Sequence, residues 1–388
     1  TGRTTALRHR HLEQLSTLAE RAERELRGQH QLRWLDLLEA EHDNIRAALG
    51  FALGSGEARK ALLLLTRLRD FYDIRAHYSE ARRWLTEALG TVAEGPERGD
   101  GLQCAALFAF RQGDDEESRR LGEASFRAYE LSGDRAGSAF ALANLAFERL
   151  FHGDLQTALR QGDEAVERAR LVSDEWVLSW VLSNAGCAHL EAAQQKRDAG
   201  QREQGRRLVE EASAIARRLG DRRLIAMTVG NLGEEALELR ELEHAVPLLT
   251  EAMTAFTGLR ERAGAANIER TLALAALYQG DVEEAERRLR SVAESDLEFG
   301  LQLSGETALV FAMSSSARGD TRSAVRRWAT AASDLGERLT PFLVPGVERF
   351  LEPLRQSVPA EAFEADWAAG ARTPVRALLA ELVSAEAR

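Results

Sequence analysis

The sequence predicts an all-α fold, a solenoid of stacked helical hairpins with about 40 residues per repeat, and three observations predict it. The first is composition: Ala, Leu, Glu and Arg dominate, aromatics make up 6% and only 7 residues are Pro, so helix is favoured and rarely interrupted. The second is a recurring pattern of a helix, a Gly-Asp turn or near variant, and a second helix with a small residue four or five places in. The third is spacing. The small residues Ala81, Ser118, Ala158, Gly205, Ala245, Ala285 and Ala324 follow one another at 37, 40, 47, 40, 40 and 39 residues. A chain of 388 residues exceeds one ordinary core, and a repeat at near-constant pitch resolves this by stacking each hairpin on its neighbours.

Residues 1–54 read as a helical pair that joins an upstream domain, because the chain opens at Thr1 without a Met and is expected to be a piece of something longer. Residues 55–338 read as the array of about seven hairpins, and 339–388 as a helical cap. The first two copies are weak, RDFYDIRAHYSEARRWLTEAL at 69–89 and LFAFRQGDDEESRRLGEAS at 107–125. The pattern is clear in NLAFERLFHGDLQTALRQGDEAV at 144–166 and NLGEEALELRELEHAVPLLTEAM at 231–253. It returns in TLALAALYQGDVEEAERRLRSV at 271–292 and VFAMSSSARGDTRSAVRRWATA at 310–331. Each residue type has a physical task. A small residue lets two antiparallel helices approach closely. Gly113, Gly153, Gly280 and Gly319 permit the left-handed turn that ends a helix. Asp114, Asp154, Asp281 and Asp320 are placed to cap the next helix. The 47-residue spacing exceeds its neighbours by seven, two helical turns, and predicts a lengthened hairpin around residues 184–205 rather than a broken register.

The pattern N-L-[AG] … G-D … A … A resembles the tetratricopeptide consensus at a longer pitch, which implies a right-handed superhelical solenoid of tetratricopeptide-like hairpins. RWLDLLEAEHDNIRAALGFAL at 33–53, followed by RRWLTEAL at 82–89, resembles the segment after the winged-helix part of NB-ARC-type (STAND) ATPase transcriptional regulators. These are the LuxR-type or SARP-type proteins with maltose-regulator-like repeats. The tail VPAEAFEADWAAGARTPVRALLAEL at 358–382 is similar to their closing motif. The resemblance implies a ligand- or protein-sensing array that controls activation of its parent. It also implies that ATP, the only expected cofactor, belongs to an ATPase domain outside this chain. That ATPase domain is itself an expected partner. The alternative is a general scaffold that binds peptide segments or subunits in its concave groove.

Direct searches for chemistry find no catalytic constellation. No G-x-x-x-x-G-K-[ST] loop or His-Glu-x-x-His pair occurs, and GSGEARK at 54–60 has the wrong spacing to cradle phosphates. His9 and His11 lie two apart on a helix and cannot share a metal, so no metal ligands are expected. With 62 acidic against 51 basic side chains the net charge is −11, which opposes nucleic-acid binding. All but Lys60 and Lys196 of the basic residues are arginine, scattered over every helix as GC-rich coding would leave them. Two cysteines, Cys104 and Cys187, exclude a disulfide framework and suit the cytoplasm; no long apolar run suggests a membrane span. Trp34, Trp84 and Trp367 lie in the family-like end motifs, where they would lock terminal helices onto the array.

A non-catalytic array must recognise its ligand, a small-molecule effector or a protein or peptide, on the concave side lined by first helices. Alignment on the turns puts Asn144, Asn184 and Asn231 at one recurrent inward position, where an amide offers both donors and an acceptor. The same amides would equally support stacking by bonding an adjacent backbone. Neighbouring inward positions carry Phe140, Phe147, Phe151, Trp180, Cys187 and Met227. These suit a small-molecule site, and equally a core between long helices. From the fifth hairpin onward the face becomes more polar, with Glu234, Asn267, Arg270 and Glu306. Arg270 could meet an anionic ligand group or pair with Glu269 or Glu306.

Overall fold

In the computed structural model, residues 2–300, 304–336 and 353–384 are described. The expected boundary between array and cap at 338/339 lies outside the described residues. Helices α1 (Gly2–Glu25), α2 (Gln31–Ala40) and α3 (His42–Gly54) form the N-terminal segment. A pair was expected there; the backbone bends at Glu41, leaving three helices. The first hairpin packs α4 (Ala58–Arg67) and the short α5 (Arg69–Ile74) against α6 (Tyr78–Thr91).

Six further hairpins follow in strict alternation. They pair α7 (Glu97–Arg111) with α8 (Asp115–Ser132), α9 (Arg135–Phe151) with α10 (Leu155–Ala169), and α11 (Glu175–Lys196) with α12 (Ala199–Leu219). Then come α13 (Arg222–Glu238) with α14 (Leu242–Leu259), α15 (Arg262–Gln279) with α16 (Val282–Phe299), and α17 (Ser304–Ala317) with α18 (Thr321–Leu335). No strand occurs among the described residues, and no helix among them is long and apolar enough to cross a membrane.

The turn chemistry operates largely as the sequence predicts. Gly113, Gly153, Gly280 and Gly319 have φ of 71, 75, 83 and 79°. Asp154, Asp281 and Asp320 accept the amides of Thr157, Glu284 and Ser323 at 3.0–3.2 Å. Asp114 is the exception. It makes no capping bond and instead takes Arg82 Nη2 at 2.7 Å, because a guanidinium from the preceding hairpin reaches it. All seven spacing residues are buried. The fourth hairpin is longer, and its seven residues divide between its two helices. Asn184 lies fourteen residues before its cap Asp198, against ten from Asn144 to Asp154; Asp198 lies seven before Gly205, against four from Asp154 to Ala158. One extra turn therefore extends each helix and the register beyond is kept.

At the far end, helices Ala360–Ala371 and Val375–Ser384 close the core around the fully buried Trp328. Gly370 sits against the α18 backbone: a Cβ there would lie 2.1 Å from the Arg326 carbonyl oxygen. Thr330 Oγ1 donates to the Gly370 carbonyl at 2.9 Å, and Asp366 accepts from Arg322 and Arg326. Gly370→Ala is expected to free this terminal pair. Limited proteolysis should then cleave within 353–384, while the remaining array stays folded because its hairpins stack independently. Cleavage no faster than in the wild type would contradict this docking.

The array does not stay open. Residues 27–36 and 69–75 meet residues 219–223 and 259–261, so the superhelix returns on itself after four hairpins. Gln31 Nε2 donates to Asp221 Oδ1 at 2.7 Å, Arg75 to the Leu259 carbonyl at 2.7 Å, and Arg260 to Asp36 at 2.9 Å. Leu259 is fully buried within the N-terminal core. The closure is strongest at Arg223, which joins Asp73 of the first hairpin at 2.5 Å and Glu261 at 3.1 Å.

Candidate functional site

The closed superhelical turn converts the concave face into a cavity of about 390 Å³. First helices α7, α9, α11, α13 and α15 supply most of its wall, because the hairpin repeat turns the same face of each inward. All nine residues singled out from the sequence, Phe140, Asn144, Phe147, Phe151, Trp180, Asn184, Met227, Asn231 and Arg270, line it. Of the other inward residues named, Cys187, Glu234, Asn267 and Glu306 line it as well.

The two uses weighed for these side chains coexist. Phe140 and Trp180 are buried and pack with Trp176 at ring separations of 5.7 and 5.6 Å, so their backs are core while an edge meets the cavity. Phe147 and Phe151 are half-buried and group with Phe110 of α7, with ring centroids 5.0–6.4 Å apart in edge-to-face arrangements.

The three asparagines diverge. Asn144 Oδ1 accepts Trp180 Nε1 at 2.9 Å, and Asn231 Nδ2 donates to Ser183 Oγ at 3.0 Å. Both brace neighbouring first helices, through side chains rather than through backbone. Asn184 lies between them, nine-tenths buried, with Nδ2 lacking a hydrogen-bond partner.

Two further polar atoms on the wall are in the same condition, Gln103 Oε1 and Glu148 Oε1, each on a residue more than nine-tenths buried. Burial pushes the Glu148 carboxyl up to about 7, and Arg149 and Arg119 only partly oppose it. Buried polar atoms are ordinarily bonded, and here three unpartnered ones belong to residues that line one cavity.

Charged wall residues gather at the closure. Asp73 receives Arg111 Nε at 2.9 Å as well as Arg223. Burial would raise its carboxyl, but the two guanidiniums more than reverse this and hold it well below the usual carboxylate range. Arg69 pairs with Asp70 at 2.9 Å. Arg270 is buried, bonded to Asn267 and electrostatically coupled to Glu234, whose carboxyl burial raises. Of the two partners weighed for Arg270, Glu269 instead binds Arg288 at 3.0 Å.

Sequence reasoning missed Phe110, Gln103, Glu148 and the closure residues. Phe110 lies in the weak second copy and Gln103 just before it, both off the inward register read from the stronger ones. Arg223 and Asp73 are 150 residues apart, and no local signal pairs them.

Elsewhere, Glu39, His42 and His77 place one potential ligand atom each within 4.8 Å of one another. Their nitrogens already face carboxylates, His42 Nε2 at 3.2 Å from Glu80 and His77 Nε2 at 3.5 Å from Glu39. Cys104 and Cys187 are buried free thiols, and burial pushes Cys187 up to about 12, which makes it inert.

No family model and no curated protein matches the chain. Solved structures do. The chain is similar to a signal transduction ATPase with numerous domains (STAND) protein with a tetratricopeptide repeat sensor from Pyrococcus horikoshii, with TM-score 0.54 and 14% identity over 86% of this chain and 55% of that one. It is similar to a Rap protein complexed with Competence and Sporulation Factor, with TM-score 0.51 and 13% identity over 91% of this chain and all of that one. A third is the Rap conjugation gene regulator of plasmid pLS20 in complex with the Phr* peptide, with TM-score 0.53 and 12% identity over 92% and 96%. At such identities the likeness shows the fold, a tetratricopeptide-like helical solenoid. The chain spans about half the length of the STAND protein it matches.

Proposed function

We propose that this chain is a non-catalytic sensing array that takes a small-molecule effector into its closed cavity and thereby controls a signal-transduction ATPase of which it forms part. That parent would be a cytoplasmic transcriptional regulator, with ATP bound in its ATPase domain and this array contacting that domain. The observation that carries the reading is the cavity on the concave face, lined by aromatic rings and by three residues with buried, unpartnered polar atoms. A volume near 390 Å³ falls within the range of small-molecule sites. The repeat neighbour described as a STAND protein with a tetratricopeptide repeat sensor supports the array role; the neighbour in complex with the Phr* peptide supplies the rival, a peptide as the ligand.

A thermal-shift screen of metabolites and short peptides tests the reading. A ligand at a hundred times its Kd adds about 2.7 kcal/mol. Leu107→Trp, placed on the cavity wall at a half-buried position, should fill the space and remove that stabilisation while leaving the unliganded protein folded. Stabilisation by peptides alone, undiminished in Leu107→Trp, would transfer the function to an outer groove.

A further inference from the structure

Resting on the reading of the cavity as a ligand site, we infer that the ligand carries a protonated amine and that Glu148 receives it. The wall brings four arginines, Arg69, Arg111, Arg223 and Arg270, against seven carboxylates, so it is net negative. The arginines are already engaged, at Asp70, Asp73, Glu261 and Asn267. An anionic ligand would therefore find no uncommitted cation among these and would meet excess negative charge.

Glu148 is the carboxylate best placed to recognise a cation. Its Oε1 is buried and unpartnered. The charged groups facing it from α8 and α9 do not neutralise it. Arg149 is directed to Glu123 at 3.4 Å, Asp115 faces His152 at 3.8 Å, and Arg119 is exposed.

Helical spacing sets Phe151 three residues beyond Glu148 and Phe147 immediately before it, and both rings pack with Phe110. Aromatic faces are negative and attract ammonium groups most strongly where water is excluded. A carboxylate on the same cavity wall as these three rings is matched to an organic ammonium. Asn184, on the same wall, would hydrogen-bond a polar group elsewhere on the molecule. The ligand class is thus a compact amphipathic amine bearing a second polar group.

Three probes of nearly equal size and different charge test this on the whole chain: phenethylamine, 2-phenylethanol and phenylacetate, titrated at neutral pH against the fluorescence of Trp176 and Trp180. The amine is expected to bind at least tenfold more tightly than the alcohol, and phenylacetate weakest of all. Glu148→Gln should erase the tenfold preference of the amine over the alcohol, and its unliganded Tm should equal or exceed that of the wild type, since a buried unpaired carboxylate is removed. Binding of phenylacetate as tight as the amine, or an unaltered amine affinity in Glu148→Gln, overturns the cation assignment and leaves the cavity standing if the alcohol still binds. If none of the three probes binds, the reading of the cavity as a small-molecule site falls, and this inference with it.

Discussion

Arg223→Ala is expected to lower the free energy of unfolding by about 3–5 kcal/mol, the cost of stripping one partner from a buried ion-pair network. Arg223 is 5% exposed and its carboxylate partners Asp73 and Glu261 are 2% and 5% exposed, so neither carboxylate can turn to water without opening the superhelix. Arg111 would be left as the only arginine bonded to Asp73. The sign with pH follows from Asp73, whose carboxyl is held below its usual range in the folded protein. A depressed carboxyl contributes stability that is present above the unfolded value and lost as pH falls through the folded one. The gap between wild type and variant should therefore be full at neutral pH and narrow below about pH 4, where unfolded aspartates take up protons. Denaturant titrations at pH 7 and pH 3.5 measure both. An equal gap at the two pH values would remove Asp73 from the explanation. The same variant should weaken ligand binding, because Arg223 is part of the wall and its salt bridge closes the end of the cavity.

Gly205→Val should cost about 3 kcal/mol, at the upper end of what overpacking produces. In the fourth hairpin α11 and α12 cross with Gly186 and Gly205 in mutual contact. A Cβ on Gly205 would lie 2.9 Å from the Gly186 carbonyl oxygen, 2.9 Å from the Leu190 amide nitrogen and 2.8 Å from Leu190 Cγ. Two of these are backbone atoms, which cannot swing aside. Because α11 carries Trp180 and Asn184 into the cavity, the displaced helix should also disturb ligand binding, beyond the loss of stability. Gly258→Val is the matched control: a Cβ there would meet nothing within 4 Å, so its stability should change little. Comparable loss in both variants would show that the crossing does not set the cost.

The repeat was legible because its determinants are local. A left-handed glycine, an aspartate cap and a small residue at the crossing each act within one hairpin, so they recur in sequence wherever the hairpin recurs. The same locality revealed the lengthened hairpin, where four extra residues before the Asp198 cap and three after it are only spacing. It failed at Asp114, whose capping oxygen is taken by Arg82 from the preceding hairpin. It failed again at Glu41, where one bend made three helices of an expected two.

For the candidate site, periodicity placed nine side chains on one wall, since helical phase decides which way a residue faces. Phase does not decide what lies opposite. Asn144, Asn184 and Asn231 occupy one sequence position, yet two are bonded across helices and one is left unpartnered, according to whether Trp180 or Ser183 comes within reach.

The sequence by itself determined the helical repeat, its pitch, its turn chemistry and the inward face, all set by interactions within a few residues or between adjacent hairpins. Only the tertiary structure decided that this face curls back on itself around a cavity. Closure depends on the small rotation between successive hairpins, accumulated over four of them until Arg223 reaches Asp73. Such a sum fixes partners 150 residues apart without leaving a pattern in the chain.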